Sequence, residues 1–284
     1  MSSIAVVTDS NSGISQSEAS RLGIYVVPMP FYIDGKLCYE DVDLTREDFF
    51  DALDRDADVT TSQPSPASMT EIWDRVLEDH EFVLHFPMSS GLSGTCATAT
   101  ALAADYGGRV RVIDNKRISV PQRFAINDAI AMIDAGADAD EITEVMMREA
   151  AEASVYITVD TLKYLKKGGR ITAAGAALGT VLGIKPVLQI QGDKLDAFAK
   201  VRGMKAAKRA MLEALEDDIN GRFAGHKVRV AAAYTCSDEE ADEWKREIEE
   251  HFLGHRVTAD PLSLSIACHI GRGAVGIGCS RVVE

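Results

Sequence analysis

The sequence predicts an α/β protein. Its N-terminal domain, residues 1–158, is built on a parallel sheet, and an α+β domain with a hairpin and helices follows over residues 159–284. Three observations predict it. Short β-branched runs alternate with helical patterns through the first half, which is the signature of βαβ units. After about residue 160 a hairpin pattern and long helical stretches replace that alternation. The 284 residues, 46% hydrophobic and 26% charged, have an ordinary globular composition and enough length for two domains.

Residues 4–8 are an apolar run closed by Asp9-Ser10, a buried strand with polar residues at its carboxyl end. Ser15-Gln16-Ser17-Glu18 is a capping box that opens a helix toward Leu22. Residues 24–27 read as the next strand, Ile33-Asp34-Gly35-Lys36 as a hairpin turn, and residues 45–53 as a second capped helix. Further apolar runs at 82–87, 110–114 and 155–159 are separated by helical patterns at 67–78, 95–104 and 141–151. Ligands of open parallel sheets sit beyond the carboxyl ends of the strands. Thr8-Asp9-Ser10 and residues 89–95 fall there. In the second domain, residues 185–190 and 194–201 flank Gln191-Gly192-Asp193 as a hairpin. Residues 205–215 and 239–252 are helical, and 228–235, 256–262 and 273–283 are strands.

Composition excludes several classes. A net charge of −14 argues against nucleic-acid binding, which needs a basic surface. The five cysteines form no CxxC pair and read as reduced, buried thiols of a cytoplasmic protein. The opening MSSIAVVTDS lacks the basic and apolar regions of a signal peptide, and the longest low-charge stretch, residues 171–184, is too short to span a bilayer. Any membrane contact is expected to be transient. Charge is uneven: residues 163–209 carry eleven Lys or Arg against two acids, leaving about −23 on the rest. This segment is either a solvated helix face with protective edge-strand lysines or a positive field facing an anionic ligand or partner.

Some motifs fail. Gly271-Arg272-Gly273-Ala274-Val275-Gly276 matches GxGxxG but has no room for the following helix and acidic residue, so it reads as a turn into a terminal strand. Gly168-Gly169-Arg170 is no Walker sequence, and His251 with His255 lacks the metalloprotease Glu; no metal or cofactor site is expected. Ser89-Ser90-Gly91-Leu92-Ser93-Gly94-Thr95 is more informative. It joins a strand to a helix, so its backbone N–H groups and hydroxyls suit an anion, although Ser93 also reads as a plain N-cap. In Thr60-Thr61-Ser62-Gln63-Pro64-Ser65-Pro66, Ser65 is the expected cap and Pro66 the first helical residue, which leaves Thr60 and Thr61 for other partners.

Seven segments in order resemble the DegV family over essentially the whole chain. They are Val7-Thr8-Asp9-Ser10; Thr60-Thr61-Ser62-Gln63-Pro64-Ser65; Ser89-Ser90-Gly91-Leu92-Ser93-Gly94-Thr95; Val159-Asp160-Thr161-Leu162-Lys163-Tyr164-Leu165-Lys166-Lys167-Gly168-Gly169-Arg170-Ile171; Leu182-Gly183-Ile184-Lys185-Pro186-Val187-Leu188; Lys200-Val201-Arg202-Gly203; and His269-Ile270-Gly271. The resemblance implies a two-domain α/β fold with one long-chain fatty acid between the domains. It implies a non-catalytic lipid-binding subunit that presents the carboxylate to an ATP-dependent fatty acid kinase and carries the acyl phosphate away. The family's carboxylate positions map onto Thr61, Ser93 and His269, and its basic positions near the head group onto Arg170 and Arg202. Ile270 and Arg272 stand where the family usually has Thr and Pro.

Two other readings compete. A serine acyl hydrolase would use Ser93, His269 and Asp9, although Thr95 stands where a nucleophile elbow needs its second Gly. A lipid-sensing regulatory protein would bind the same acid without a kinase. The small residues of 173–183 suit either close backbone approach or room for a ligand.

Overall fold

A computed structural model describes residues 3–178, 183–191 and 194–283. The chain divides into two units, Met1–Ala151 with Val283, and Glu152–Val282 with Glu284.

The first unit runs β1 (Ile4–Asp9), α1 (Gln16–Leu22), β2 (Tyr25–Val27), β3 (Pro30–Ile33), β4 (Lys36–Tyr39), α2 (Arg46–Asp54), β5 (Val59–Thr61), α3 (Pro66–Val76), β6 (Phe82–Phe86), α4 (Thr95–Ala103), β7 (Val110–Val112), α5 (Ser119–Asp134) and α6 (Ala139–Arg148). Its main sheet, in the order β2-β1-β6-β7, is parallel throughout. Every residue of β1 is buried because both faces are covered. Ile4 and Val6 pack with Leu84, Phe86 and Ile126 on one side, while Ala5 and Val7 pack with Met69, Trp73 and Val110 on the other. The helix starts follow the sequence signals: Ser15, Thr45 and Ser65 accept from the amides of Glu18, Asp48 and Ser68, and Pro66 opens α3. A separate antiparallel sheet, β4-β3-β5, carries the expected hairpin. Its turn residues Asp34 and Gly35 have φ 49° and 81°, the left-handed pair that a two-residue primed turn requires.

The second unit runs β8 (Ala153–Thr158), α7 (Lys163–Gly168), α8 (Ala173–Ala177), β9 (Ile184–Ile190), β10 (Asp196–Arg202), α9 (Met204–Asn220), β11 (Val228–Tyr234), α10 (Asp238–His251), β12 (Thr258–Pro261), α11 (Leu264–Ile270) and β13 (Val275–Arg281). One mixed sheet has the order β10-β9-β8-β13-β11-β12. Among the described strands of this sheet, only β11 and β12 pair in parallel, joined through α10. Helices α9 and α10 cover one face, with Met211, Leu215 and Ile248 packed against Val187, Val230 and Ile277. Trp244 is wholly buried there and its indole N–H donates to the Gly276 carbonyl at 2.9 Å. The sequence places the domain boundary after residue 158. Strand β8 instead pairs with β9 and β13, so it falls with the second unit. An isolated apolar run carries no mark of which sheet it will join.

The β9–β10 hairpin forms as expected. Its turn residues Gly192 and Asp193, and residues 179–182 including Leu182, lie outside the described residues. Among the described residues, no helix is long and apolar enough to cross a membrane.

Candidate functional site

In the first unit the polar groups converge at the carboxyl edge of the parallel sheet. The chain moves outward from β1 to β2 on one side and from β6 to β7 on the other, so the strand-order switch lies between β1 and β6. Asp9, at the end of β1, is fully buried. One carboxylate oxygen accepts from the Met88 amide at 2.7 Å, and the other from the amide and the side-chain nitrogen of Asn11, each at 3.0 Å. Burial pushes its pKa up against the pull of those donors, and the net direction is upward. Thr8 donates to the Phe86 carbonyl at 2.9 Å, and Gln122 donates to both groups at 3.1 Å. These bonds fix where residues 87–95 leave the sheet.

That segment folds around Ser89. Its amide donates to Arg117 O at 2.9 Å, and its carbonyl accepts from Leu92 at 3.0 Å and Ser93 at 3.2 Å. Ser93 does not cap α4. The N-cap is Gly94, and no side chain caps the helix. The Ser93 hydroxyl instead pairs with the Thr95 hydroxyl at 2.8 Å and accepts from the Thr95 amide at 3.2 Å. A helix start without a side-chain cap, next to a half-buried serine, suits an anion.

Thr61 ends β5 opposite Phe31 and is half-buried. The following segment is held by Ser62 donating to Pro30 O at 3.2 Å, and by Gln63 donating to the Thr98 hydroxyl of α4 at 3.1 Å. A Cβ on Gly94 would stand 3.0 Å from the Gln63 amide oxygen. The structure therefore brings the segment after Thr61 against the Ser93 segment through Gln63. Sequence gave no sign of that role, because a linking amide has no distinctive spacing.

In the second unit, His269 lies one residue before the end of α11, which packs on α7. The imidazole rests against Gly168, where an added Cβ would overlap the ring. Gly169 turns the chain with φ 67°, and Arg170 then donates to the Gly168 carbonyl. Burial, with the Arg170 cation second, holds the His269 pKa down at about 4. The Gly-Gly-Arg sequence thus makes room for an imidazole, reverses the chain and returns a guanidinium beside it. The terminal Gly-rich stretch is a turn into β13, as expected. Gly271 has φ 76° and its carbonyl accepts from Thr235 at 2.7 Å. Ile270 is buried and Arg272 exposed. Arg202 ends β10 opposite Ile184 of β9 and is exposed, and among the described residues its side chain makes no hydrogen bond or ion pair.

The geometry does not favour the hydrolase reading. The Asp9 carboxylate is fully buried, and both of its oxygens are taken by donors of its own unit. His251 pairs with Glu216 at 3.2 Å, and the described residues hold no cluster of three His, Cys, Asp or Glu that could bind a metal.

A parallel-sheet unit with hydroxyl-rich strand ends, followed by a six-stranded mixed-sheet unit, defines a two-unit α/β protein. A family model for uncharacterised proteins of the DegV family matches residues 3–282. The chain belongs to the DegV family. A DegV domain-containing protein of Deinococcus radiodurans is 32% identical over 286 residues, covering 97% of each chain. Among solved structures, a DegV family protein from Thermus thermophilus, described for its fatty acid binding, matches with a TM-score of 0.90 and 30% identity over 99% of this chain and 100% of that one. A fatty acid binding DegV family protein from Streptococcus agalactiae matches at 0.87 and 26% identity over 98% of each.

Proposed function

We propose that the protein binds one long-chain fatty acid through its carboxylate and presents that group to an ATP-dependent fatty acid kinase, carrying the acyl phosphate without catalysing its formation. The observation that carries the lipid reading is the uncapped start of α4 flanked by Ser93 and the Gln63-linked segment, in a chain similar to fatty-acid-binding DegV proteins. The Thr61 and Ser93 hydroxyls donate to the carboxylate, and His269 is the third donor. With a pKa near 4 His269 is neutral at pH 7, so it offers one N–H without adding a charge. Each buried methylene contributes about 0.8 kcal/mol, so the tail supplies most of the affinity and the donors fix orientation. The same reading makes the protein cytoplasmic, free of metal and cofactor, and without nucleic-acid partners.

Organic extraction and mass spectrometry of the purified protein should yield near-stoichiometric long-chain acid. A protein that is empty and also refuses added acid would end this reading. In a Thr61→Ala, Ser93→Ala variant two bonds to a charged group are lost, each worth roughly 1.5–3 kcal/mol, so acid binding weakens by more than about tenfold while binding of the matching fatty alcohol changes less. Equal losses for acid and alcohol would remove both residues from the site.

Arg170 and Arg202 serve the kinase step. Arg170 stands beside His269 and Arg202 is exposed at a strand end. A guanidinium can hold two phosphate oxygens of the product. Arg170→Ala and Arg202→Ala should retain lipid and lose most phosphorylation when a kinase subunit is supplied. Wild-type rates in both would return the basic segment to a solvated surface.

A further inference from the structure

The loop after β7 and the first residue of α5 carry two of the described residues that hold left-handed backbone without being glycine, Lys116 at φ 55° and Ser119 at φ 58°. Such conformations are costly for L side chains and persist where surrounding bonds enforce them. At Lys116 those bonds lead to the Ser89–Thr95 segment. The ammonium pairs with Asp114 at 2.8 Å and donates to the Ser90 hydroxyl at 2.5 Å. The other Asp114 oxygen accepts from the Ser90 amide at 3.2 Å. One residue on, Arg117 supplies the carbonyl that receives the Ser89 amide, and its own side chain is anchored on Glu149 O at 2.5 Å. Both Asp114 and Lys116 act electrostatically on the Cys96 thiol, so the pair stands beside the first turn of α4.

We propose that Asp114 and Lys116 are positioning residues for the anion-receiving segment: together they grip both the amide and the hydroxyl of Ser90, and so hold Ser93 and the start of α4 in the geometry that receives a carboxylate. The inference rests on the reading of Ser93 as a carboxylate donor. The pair is partly exposed, with side-chain exposures of 39% for Lys116 and 19% for Asp114, so as an isolated surface ion pair it would do little. Its contacts are what distinguish it. Asp114 restrains a donor and Lys116 an acceptor on one residue of the loop, which leaves the intervening backbone few alternatives. Preorganised donors lose less on binding than mobile ones. The acid, which uses those donors as an anion, feels this more than an alcohol of the same length.

The test is the ratio of dissociation constants for a fatty acid and the matching alcohol, measured by calorimetry on delipidated protein, with urea midpoints as the folding control. Lys116→Gly keeps the left-handed backbone without its strain, so the fold should be as stable as before or more so. The proposal expects that variant, and Asp114→Asn, to lower the preference for acid by about fivefold or more, with alcohol binding unchanged and Lys116→Arg restoring most of it. If Lys116→Gly and Asp114→Asn keep the wild-type ratio while Ser93→Ala abolishes it, the pair is no positioning device and the site reading survives. If Ser93→Ala also keeps the ratio, the site reading fails and this inference falls with it.

Discussion

His85 shows how a single buried side chain ties stability to pH. It lies in β6 with no exposure, 5.5 Å from Trp73 edge to face, and neither ring nitrogen has a hydrogen-bond partner among the described residues. Burial holds its pKa down at about 3, against 6.5 for an exposed histidine. The unfolded chain therefore takes up a proton that the folded chain refuses as pH falls below 6.5. Stability is full above that value and is lost progressively toward pH 3, by about 2 kcal/mol at pH 5. His85→Leu should remove this acid limb and raise the urea midpoint more at pH 5 than at pH 7.5; parallel midpoint curves for the two proteins would contradict it. Gly168 is the counterpart in the second unit. Gly168→Ala must push the His269 ring aside, and overpacking of this kind costs roughly 1–3 kcal/mol. If His269 touches the carboxylate, acid affinity should fall along with the unfolding midpoint. Unchanged affinity in a destabilised variant would make His269 structural only.

At the level of elements, local chemistry was legible where a short motif encodes the geometry. Ser15, Thr45, Ser65 and Pro66 sit at helix starts as their sequence context requires, and Asp34-Gly35 turns the hairpin. Ser237 completes a full capping box with Glu240 at the head of α10. Ser237→Ala should lower the stability of the second unit by about 1 kcal/mol, read by chemical denaturation, with ligand affinity intact. What stayed hidden has physical reasons too. The Ser89–Thr95 segment is visible as a strand-to-helix turn, but Ser93 proved to bond Thr95 rather than cap α4. The alternative cap, Gly94, lacks a side chain to announce itself. Helix α5 begins with the left-handed Ser119 and carries a weak amphipathic pattern, because Phe124, Ile126, Gln122 and Asp128 are all buried and a helix covered on several sides loses its polar stripe. The loop before α5 holds Lys116, whose backbone conformation no sequence rule demands.

For the molecule as a whole, the two-part α/β architecture followed from strand and helix periodicity, and the seven ordered motifs pointed to the family that the comparisons establish. The basic stretch at 163–209 divides once seen in three dimensions. Lys185 pairs with Asp160, Lys208 with Glu247 and Arg209 with Glu213, whereas Lys200 and Arg202 stand exposed on the edge strand β10. Part of the segment is thus neutralised by acids outside it, and Lys200 with Arg202 leaves charge exposed at a sheet edge. Binding to the folded state alone raises stability by mass action. Added fatty acid should therefore raise the melting temperature of delipidated protein in a concentration-dependent way, and the Thr61→Ala, Ser93→Ala variant should need more than about tenfold more acid for the same rise. Identical titrations of the two proteins would argue against hydroxyl recognition of the head group.

The sheet order of the second unit has a consequence for how the chain is made. Strand β13 lies between β8 and β11, yet it follows both in the chain and is separated from β8 by five helices and four strands. A ribosome delivers β8, β9 and β10 as one antiparallel ribbon and β11 with β12 as a second, and no strand pairing joins the two until β13 emerges. Until then each ribbon exposes an unpaired edge of buried-type residues, such as Ile157 on one and Ala231 with Ala233 on the other. Long-range closure of this sort is slow and vulnerable to association with other nascent chains. The first unit, whose parallel sheet is complete by β7, is free to fold while the second waits for its keystone.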